Sequence, residues 1–210
     1  MSNPLPDYLL RTGVLGAGKI LEAFGAIDRA DFVPEELKSS AYADEALPIG
    51  EGQTISQPYT VAFMLNLLDP QAGDKIMDVG AGSGWQTALL AYVVGESGKV
   101  FAVERVPELC EFGRTNIAKY NFLEKGVVEW MCQDASVGLP DRAPFDGIIV
   151  AASIVDYKVP KMWEEQLKIG GKMVVPIGNS IWLFIKQADG TLRKREFPGF
   201  AFVPFIKGKE

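Results

Sequence analysis

The sequence predicts an α/β fold built on a doubly wound, mostly parallel sheet, and three segments carry this expectation. A short apolar run over 76–79 passes into the glycine-rich turn 80–84, which reads G-A-G-S-G. The apolar stretch 85–94 is long enough for about three helical turns. A second apolar run, 100–103, ends on Glu104. Strand, turn, helix and strand in this order form one βαβ unit, whose two strands must be parallel.

The rest of the chain extends this unit on both sides. Before it, we expect a helical segment, because apolar residues recur at helical spacing within 12–26 and again within 59–68. We expect a short helix from Pro34, irregular chain over 42–49 and a polar loop over 50–58. After it, we expect helices over 107–119 and 159–167, strands over 127–132, 145–150 and 172–176, a turn at Gly170-Gly171, antiparallel hairpin strands over 181–186 and 191–197, and an edge strand over 200–205.

We see no repeat, linker or low-complexity tract, so we expect one domain over 1–210. Its N-terminal part, 1–70, supplies helices and a substrate loop. That part packs on a cofactor-binding core, 71–210.

Composition and charge narrow the function classes. The net charge of −6 argues against a broad nucleic-acid surface, and Lys and Arg cluster only over 186–195. No stretch approaches the roughly 18 apolar residues of a membrane span, and the first residues lack the pattern of a signal peptide. We therefore expect a cytoplasmic protein without nucleic-acid or membrane partners. We also expect a monomer.

The chain contains no histidine and only two cysteines. The commonest general base and the commonest metal ligand are therefore missing, and we expect no metal site. Without a secretory signal, Cys110 and Cys132 are expected to be two reduced, buried thiols.

The glycine turn and the acids around it predict a nucleoside site. Glycines let the backbone approach a ligand closely, and Glu104, at the end of the next strand, is placed to accept hydrogen bonds from ribose hydroxyls. Trp85 stands where a dinucleotide fingerprint would need a third glycine. Asp78, just before the turn, would repel a pyrophosphate but attract an ammonium and a sulfonium. These features favour S-adenosylmethionine, with S-adenosylhomocysteine as product; the alternative is a glycine turn that binds no nucleoside.

Two further polar residues are candidates with simple structural alternatives. Asp134 follows the strand 127–132, so it should reach the same crevice and could accept a hydrogen bond from the adenine amine. Its alternative role is to cap a loop turn. Ser56 precedes the helix that starts near Pro58, and on local sequence alone it is a helix cap, as is Gln57.

Several motifs resemble the protein-L-isoaspartate O-methyltransferase family, whose members have the Rossmann-like class I methyltransferase fold and repair damaged aspartyl and asparaginyl sites. The similar segments are D-R-A-D-F-V-P at 28–34, Y-A-D-E-A-L-P-I-G at 42–50, G-Q-T-I-S-Q-P at 52–58 and F-V-P at 202–204. The third segment is the diagnostic one. The resemblance implies that Ser56 is the catalytic residue. It further implies that Asp78, Gly80, Gly82, Gly84, Glu104, Asp134 and Ala135 bind the cofactor, and that Thr54, Ile55, Gln57, Pro58 and Ala151 bind the substrate, a damaged protein or peptide with an isoaspartyl residue.

The proposed chemistry suits a chain without histidine. The α-carboxylate of an isoaspartyl residue has a pKa near ~4 and is already ionised at neutral pH, so its methylation needs no base. The site must supply alignment and a dry pocket, with Ser56 as an orienting donor rather than a nucleophile.

The main departure from the family pattern lies at residues 153–158. Residues 153–158 lengthen the loop expected to border the acceptor pocket and add Asp156 and Lys158. Two alternatives therefore stay open: a methyltransferase with another carboxylate or small-molecule acceptor, and a cofactor-binding module that recognises partners without transferring a methyl group.

Overall fold

We describe a computed structural model of the chain, which places residues 3–155 and 158–205. The helices are α1 (Leu5–Arg11), α2 (Lys19–Ala26), α3 (Pro58–Leu68), α4 (Trp85–Val94), α5 (Pro107–Ala118) and α6 (Lys161–Gln166). The strands are β1 (Leu47–Gly50), β2 (Gln53–Ile55), β3 (Lys75–Val79), β4 (Lys99–Glu104), β5 (Val128–Cys132), β6 (Phe145–Val150), β7 (Leu167–Ile177), β8 (Ser180–Lys186) and β9 (Leu192–Pro198). Short 3₁₀ helices span Arg29–Phe32, Glu35–Ser40 and Pro140–Arg142.

The main sheet has seven strands in the order β5-β4-β3-β6-β7-β8-β9. The first five are parallel, and β8 and β9 add antiparallel pairs at one edge. The chain runs outward from β3 to β5 and then returns to β6, so β3 and β6 flank the point where the strand order reverses. Ligands of such sheets bind outside the carboxyl ends of the strands at this point.

Alternation along the strands gives the sheet two buried faces. Ile76 and Val100 pack into one hydrophobic cluster, whereas their neighbours Met77 and Phe101 pack into the other. The first cluster also takes in Leu5 and Leu9 of α1, so the N-terminal helices cover the same face of the sheet as α4. The α/β class, the helical N-terminal segment and the antiparallel C-terminal strands are confirmed. The extent of a single domain over the whole chain stays a prediction.

Several boundaries differ from the sequence expectations. The expected irregular stretch and polar loop contain the hairpin β1–β2, in which Leu47 pairs with Ile55. Helix α1 lies ahead of the helical stretch expected over 12–26. Gly170-Gly171 lies inside β7 rather than in a turn, at an irregularity in its pairing with β6. The expected edge strand over 200–205 is reduced to one bridge between Ser153 and Pro204.

The two cysteines form a disulfide, so the expectation of two reduced, buried thiols is wrong. Cys110 lies in α5, and Cys132 ends β5, the neighbouring edge strand. Because α5 packs back against the sheet, the two Cα atoms lie 5.8 Å apart, within the range of bridged cysteines. Cys132 is also exposed rather than buried. The disulfide fastens α5 to the strand that leads into Asp134.

Candidate functional site

A cleft of about 860 Å³ opens at the carboxyl ends of β3, β4 and β5. The pairing of Val79 with Val103 and of Glu104 with Cys132 brings these strand ends to one edge of the sheet. The lining includes the following candidate residues: Thr54, Ile55, Ser56, Gly80, Gly82, Glu104, Asp134, Ala135 and Ala151. The backbone amides, the carboxylates of Glu104 and Asp134 and the apolar side chains of this lining suit a small organic ligand such as a nucleoside derivative.

The carboxylate of Glu104 is fixed in the wall of this cleft. Its Oε2 accepts a hydrogen bond from the backbone N–H of Gly82 at 2.8 Å. Its Oε1 accepts from the N–H groups of Arg105 at 2.7 Å and Val106 at 2.8 Å. Only 7% of Glu104 is exposed. A buried carboxylate held by three amides is a preorganised acceptor, and it also ties the glycine turn to the end of β4.

Four N–H groups of the glycine turn, those of Gly80, Ala81, Gly82 and Gly84, bond within the protein rather than pointing at an anion. Gly80 and Ala81 both donate to the carbonyl of Val103, and Gly84 donates to Ala81. Gly82 donates to Glu104. A pyrophosphate site needs such N–H groups for the ligand. The turn therefore fits a ligand that carries no phosphate, such as S-adenosylmethionine.

Gly84 is buried and serves packing rather than the cleft wall. Its φ of +86° lies in the left-handed region, and a Cβ there would meet Ile117 Cγ1 at 2.9 Å. A side chain would thus push α5 away from the turn.

Asp78 lies behind the cleft wall and is fully buried. Its Oδ2 accepts from Thr87 Oγ1 at 2.6 Å and its Oδ1 from Gln86 Nε2 at 2.8 Å. Both donors belong to the first turn of α4. Strand alternation directs Asp78 toward this helix, whereas Val79 faces the other layer. Asp78 thus joins β3 to the start of α4, and any effect on a cofactor passes through the glycine turn between them.

A second cleft of about 670 Å³ adjoins the first. Four residues line both clefts: Thr54, Ser56, Ala151 and Val203. Gln57 lines the second cleft, whose described lining consists of small, apolar and uncharged polar side chains. Pro58 is buried at the first position of α3. Ser56 therefore lies where a ligand of the first cleft would meet a ligand of the second.

Ser56 is not the cap of α3. Gln57 takes the N-cap position, and its side chain makes no cap hydrogen bond. Instead, Asp44 reaches the helix from the preceding loop, and its Oδ1 accepts from the N–H of Tyr59 at 2.8 Å. The hydroxyl of Ser56 is thus not required to start the helix.

The family model of protein-L-isoaspartate(D-aspartate) O-methyltransferase matches residues 2–210. The chain belongs to this family. A protein-L-isoaspartate O-methyltransferase of Methanopyrus kandleri is 44% identical over 206 residues, which cover 96% of this chain and 89% of the relative. One from Aeropyrum pernix is 48% identical and covers 95% of this chain and 77% of its own length.

The fold comparison agrees with the family. A Plasmodium falciparum protein assigned as a protein-L-isoaspartate O-methyltransferase was crystallised with S-adenosyl-L-homocysteine. It superimposes with a TM-score of 0.86 at 24% identity, and the match covers 99% of each chain. At this identity the likeness establishes the shared class I methyltransferase fold.

The sequence did not single out several groups that build this methyltransferase site. Val203, Pro204 and Phe205 line the first cleft, and the sequence marks Val203 and Pro204 only through the F-V-P motif of the resemblance. Asp44, which holds the start of α3, also accepts from Tyr8 at 2.7 Å. Local sequence does not predict that 203–205 line the cleft or that Asp44 holds α3, because both roles depend on segments that meet only in the fold.

Residues 153 and 154, at the start of the unusual 153–158 segment, act on the clefts indirectly. Ser153 is 5% exposed, its N–H donates to the carbonyl of Val203, and its carbonyl accepts from Phe205. Ile154 is buried and bridges to Ile177. The first half of the segment therefore fastens the 203–205 wall to the sheet. Lys158 is exposed, and Asp156 lies outside the described residues.

We expect Asp78 to make the stability of the apo protein depend on pH. Burial raises the pKa of Asp78 from 3.8 to about 6, although bonds from Thr87 and Gln86 oppose the rise. The folded state then holds the proton more tightly than the unfolded state. The free energy of unfolding should therefore fall as pH rises from about 4 to about 6, by an amount on the order of 2 kcal/mol.

The measurement is urea unfolding of the wild type and of Asp78→Asn at several pH values between 4 and 7. The amide cannot ionise, so the difference between the two proteins should change across this interval and stay level above it. A constant difference from pH 4 to 7 would show that Asp78 does not titrate there.

Proposed function

We propose that this chain transfers the methyl group of S-adenosylmethionine to the α-carboxylate of L-isoaspartyl residues in damaged proteins or peptides. Membership of the protein-L-isoaspartate O-methyltransferase family supports the reaction. The observation that carries the site assignment is the junction of the two clefts at Ser56. Methyl transfer needs the donor and the acceptor to bind in separate pockets with their reacting atoms in contact. Two clefts that meet at Ser56 satisfy both requirements.

The first cleft fits the donor. The Glu104 carboxylate would accept hydrogen bonds from the ribose hydroxyls, and Asp134 with Ala135 would border the adenine. Asp134 Oδ1 already accepts from the N–H of Ser136 at 2.8 Å, which fixes its side chain. The turn residues Gly80 and Gly82 would lie along the methionine part. When bound, S-adenosylmethionine supplies a methyl group carried on a positively charged sulfur.

The second cleft fits the acceptor. Its uncharged hydroxyl and amide groups, from Thr54, Ser56, Gln57 and Thr60, suit the polar backbone of a peptide. Tyr59 N–H is engaged by Asp44, and Pro58 has no N–H, so the start of α3 offers few amides to an anion. The Ser56 hydroxyl therefore acts as the donor that orients the carboxylate. Thr54, Ile55 and Ala151 shape the passage between the clefts.

The protein needs no general base for this reaction, because the acceptor carboxylate is ionised at neutral pH. The ester can close to a succinimide when the backbone nitrogen of the following residue attacks the ester carbonyl and methanol leaves. Hydrolysis of the succinimide then gives normal aspartate in part. Repair then follows from repeated cycles.

The decisive assay uses labelled S-adenosylmethionine and two peptides that differ only in an aspartyl or isoaspartyl linkage. We expect base-labile methyl ester on the isoaspartyl peptide alone. Ester on another carboxylate would favour the alternative acceptor, and cofactor binding with no ester on either peptide would favour a recognition module.

The described helices include none long and apolar enough to cross a membrane, and the described residues include no cluster of metal-ligating side chains. The cytoplasmic location, the monomeric state and the lack of a nucleic-acid partner stay predictions.

A further inference from the structure

A buried arginine, Arg29, lies behind the junction of the two clefts. Its side chain is completely buried, and burial lowers its pKa to about 10, so it remains charged at neutral pH. Nη1 donates to the carbonyls of Ala41 at 2.8 Å and Ala43 at 3.2 Å. Nη2 donates to the carbonyls of Glu45 at 2.9 Å and Ser56 at 3.0 Å. One guanidinium thus joins four backbone positions on both sides of the β1–β2 hairpin.

The bond to Ser56 fixes a carbonyl that no regular element holds. Ser56 follows β2 and precedes α3, whose backbone bonding begins with the Val61 N–H to the Gln57 carbonyl at 3.1 Å. The peptide unit that carries Ser56 is therefore located by Arg29 rather than by a helix or strand. A planar fork of donors is suited to holding several carbonyls in one fixed arrangement.

The same guanidinium also touches the donor side of the site. Its central carbon lies 5.2 Å from the centre of the Trp85 ring, and Trp85 lines the first cleft. Arg29 therefore lies between the wall of the donor cleft and the residue at the entrance of the acceptor cleft. The charged residues that line the first cleft are Glu104, Asp134 and Arg105, and the two carboxylates suit a sulfonium. The carboxylates of Asp44 and Glu45 lie near this guanidinium and balance its charge, so Arg29 acts on Ser56 through its hydrogen bond rather than through a net charge.

We propose that Arg29 is a positioning residue for methyl transfer: its hydrogen bond to the carbonyl of Ser56 sets the place of the Ser56 hydroxyl at the acceptor cleft. This inference rests on the proposed function, since it acts through Ser56. If Arg29 only filled space in the core, its guanidinium would not need to donate hydrogen bonds to carbonyls of the two segments that frame the acceptor cleft.

The test compares Arg29→Lys and Arg29→Met with a matched control, Tyr42→Phe. Lysine keeps the charge but cannot span four carbonyls, whereas methionine keeps neither property. Tyr42 donates to Asp28 at 2.9 Å and so braces the same segment without touching Ser56. Each variant is assayed with the isoaspartyl peptide, at a temperature where it is folded, and its affinity for S-adenosylhomocysteine is measured by calorimetry.

We expect kcat to fall at least 10-fold in Arg29→Lys and at least 100-fold in Arg29→Met, with the dissociation constant of S-adenosylhomocysteine changed less than threefold. Tyr42→Phe should lose stability but keep the wild-type kcat. Equal kcat in all three variants and the wild type would overturn the proposal. So would a loss of cofactor affinity that matches the loss of kcat, since a general distortion would produce it.

A measurement on the wild type covers the case in which the Arg29 variants do not fold. The side-chain ¹⁵N signals of Arg29 should shift when isoaspartyl peptide is added to the protein saturated with S-adenosylhomocysteine, and not when the aspartyl peptide is added. Unmoved signals at saturating peptide would refute the inference. If the wild type forms no isoaspartyl ester, the proposed function itself fails; if it does and Arg29→Lys is as fast, only the role of Arg29 fails.

Discussion

Replacing Glu104 with alanine is expected to weaken the binding of S-adenosylmethionine by a factor on the order of 10–100. A hydrogen bond to a charged acceptor is worth about 1.5–3 kcal/mol, and the ribose would lose such an acceptor. The change also leaves the N–H groups of Gly82, Arg105 and Val106 without their bonds to the carboxylate. The glycine turn would then be free to move away from the ligand, so the structural loss adds to the loss of direct contact.

Isothermal calorimetry with S-adenosylhomocysteine is the measurement, with circular dichroism to show that the variant is folded. Glu111→Ala is the matched control, because Glu111 is an exposed carboxylate on α5 near the same edge of the sheet. The control should bind as the wild type does. A folded Glu104→Ala protein with unchanged affinity would remove Glu104 from the cofactor site.

Replacing Ser56 with alanine should reduce kcat on the isoaspartyl peptide by a factor on the order of 100, as the loss of one orienting donor does in other preorganised sites. Cofactor affinity should change less than threefold, because the backbone of Ser56 keeps its bond to Arg29. We expect kcat to fall while cofactor affinity stays nearly constant, because the hydroxyl lies at the junction of the clefts, where only the acceptor depends on it.

Steady-state kinetics with varied peptide and saturating cofactor measure this effect. The matched control is Ser97→Ala, an exposed serine in the loop between α4 and β4, at the opposite end of the sheet. If Ser56→Ala turned over at the wild-type rate, Ser56 would only fill space between the clefts, and the acceptor site would have to be placed elsewhere.

The βαβ core was predictable because its signals are local. An apolar run, a turn of glycines and an apolar helix specify strand, turn and helix within 30 residues, and Glu104 falls at the strand end that topology brings to the ligand. The acceptor side of the site was harder to predict from the sequence. The hairpin β1–β2 has short strands in which Pro48 and Gly50 obscure the alternation, so its residues look like a loop.

Contacts between segments that are distant in the chain could not be predicted from local sequence patterns. The disulfide depends on how α5 packs on the edge of the sheet, and the bonds of Arg29 depend on chain folded back over 27 residues from Ser56. Asp78 shows a subtler limit. Its place next to the turn suggested contact with the ligand, but strand alternation directs its side chain to α4. The expected site and the site in the fold differ because local sequence does not show which way a side chain points or which distant segments meet. They do not differ in the types of residue involved.

A crystal structure of the complex with S-adenosylhomocysteine and an isoaspartyl peptide would show whether Ser56 holds the acceptor. We expect ribose hydroxyls on Glu104, the sulfur at the junction of the two clefts, and the isoaspartyl α-carboxylate within hydrogen-bond distance of the Ser56 hydroxyl. A peptide bound away from the second cleft, or a sulfur that points away from Ser56, would contradict this expectation.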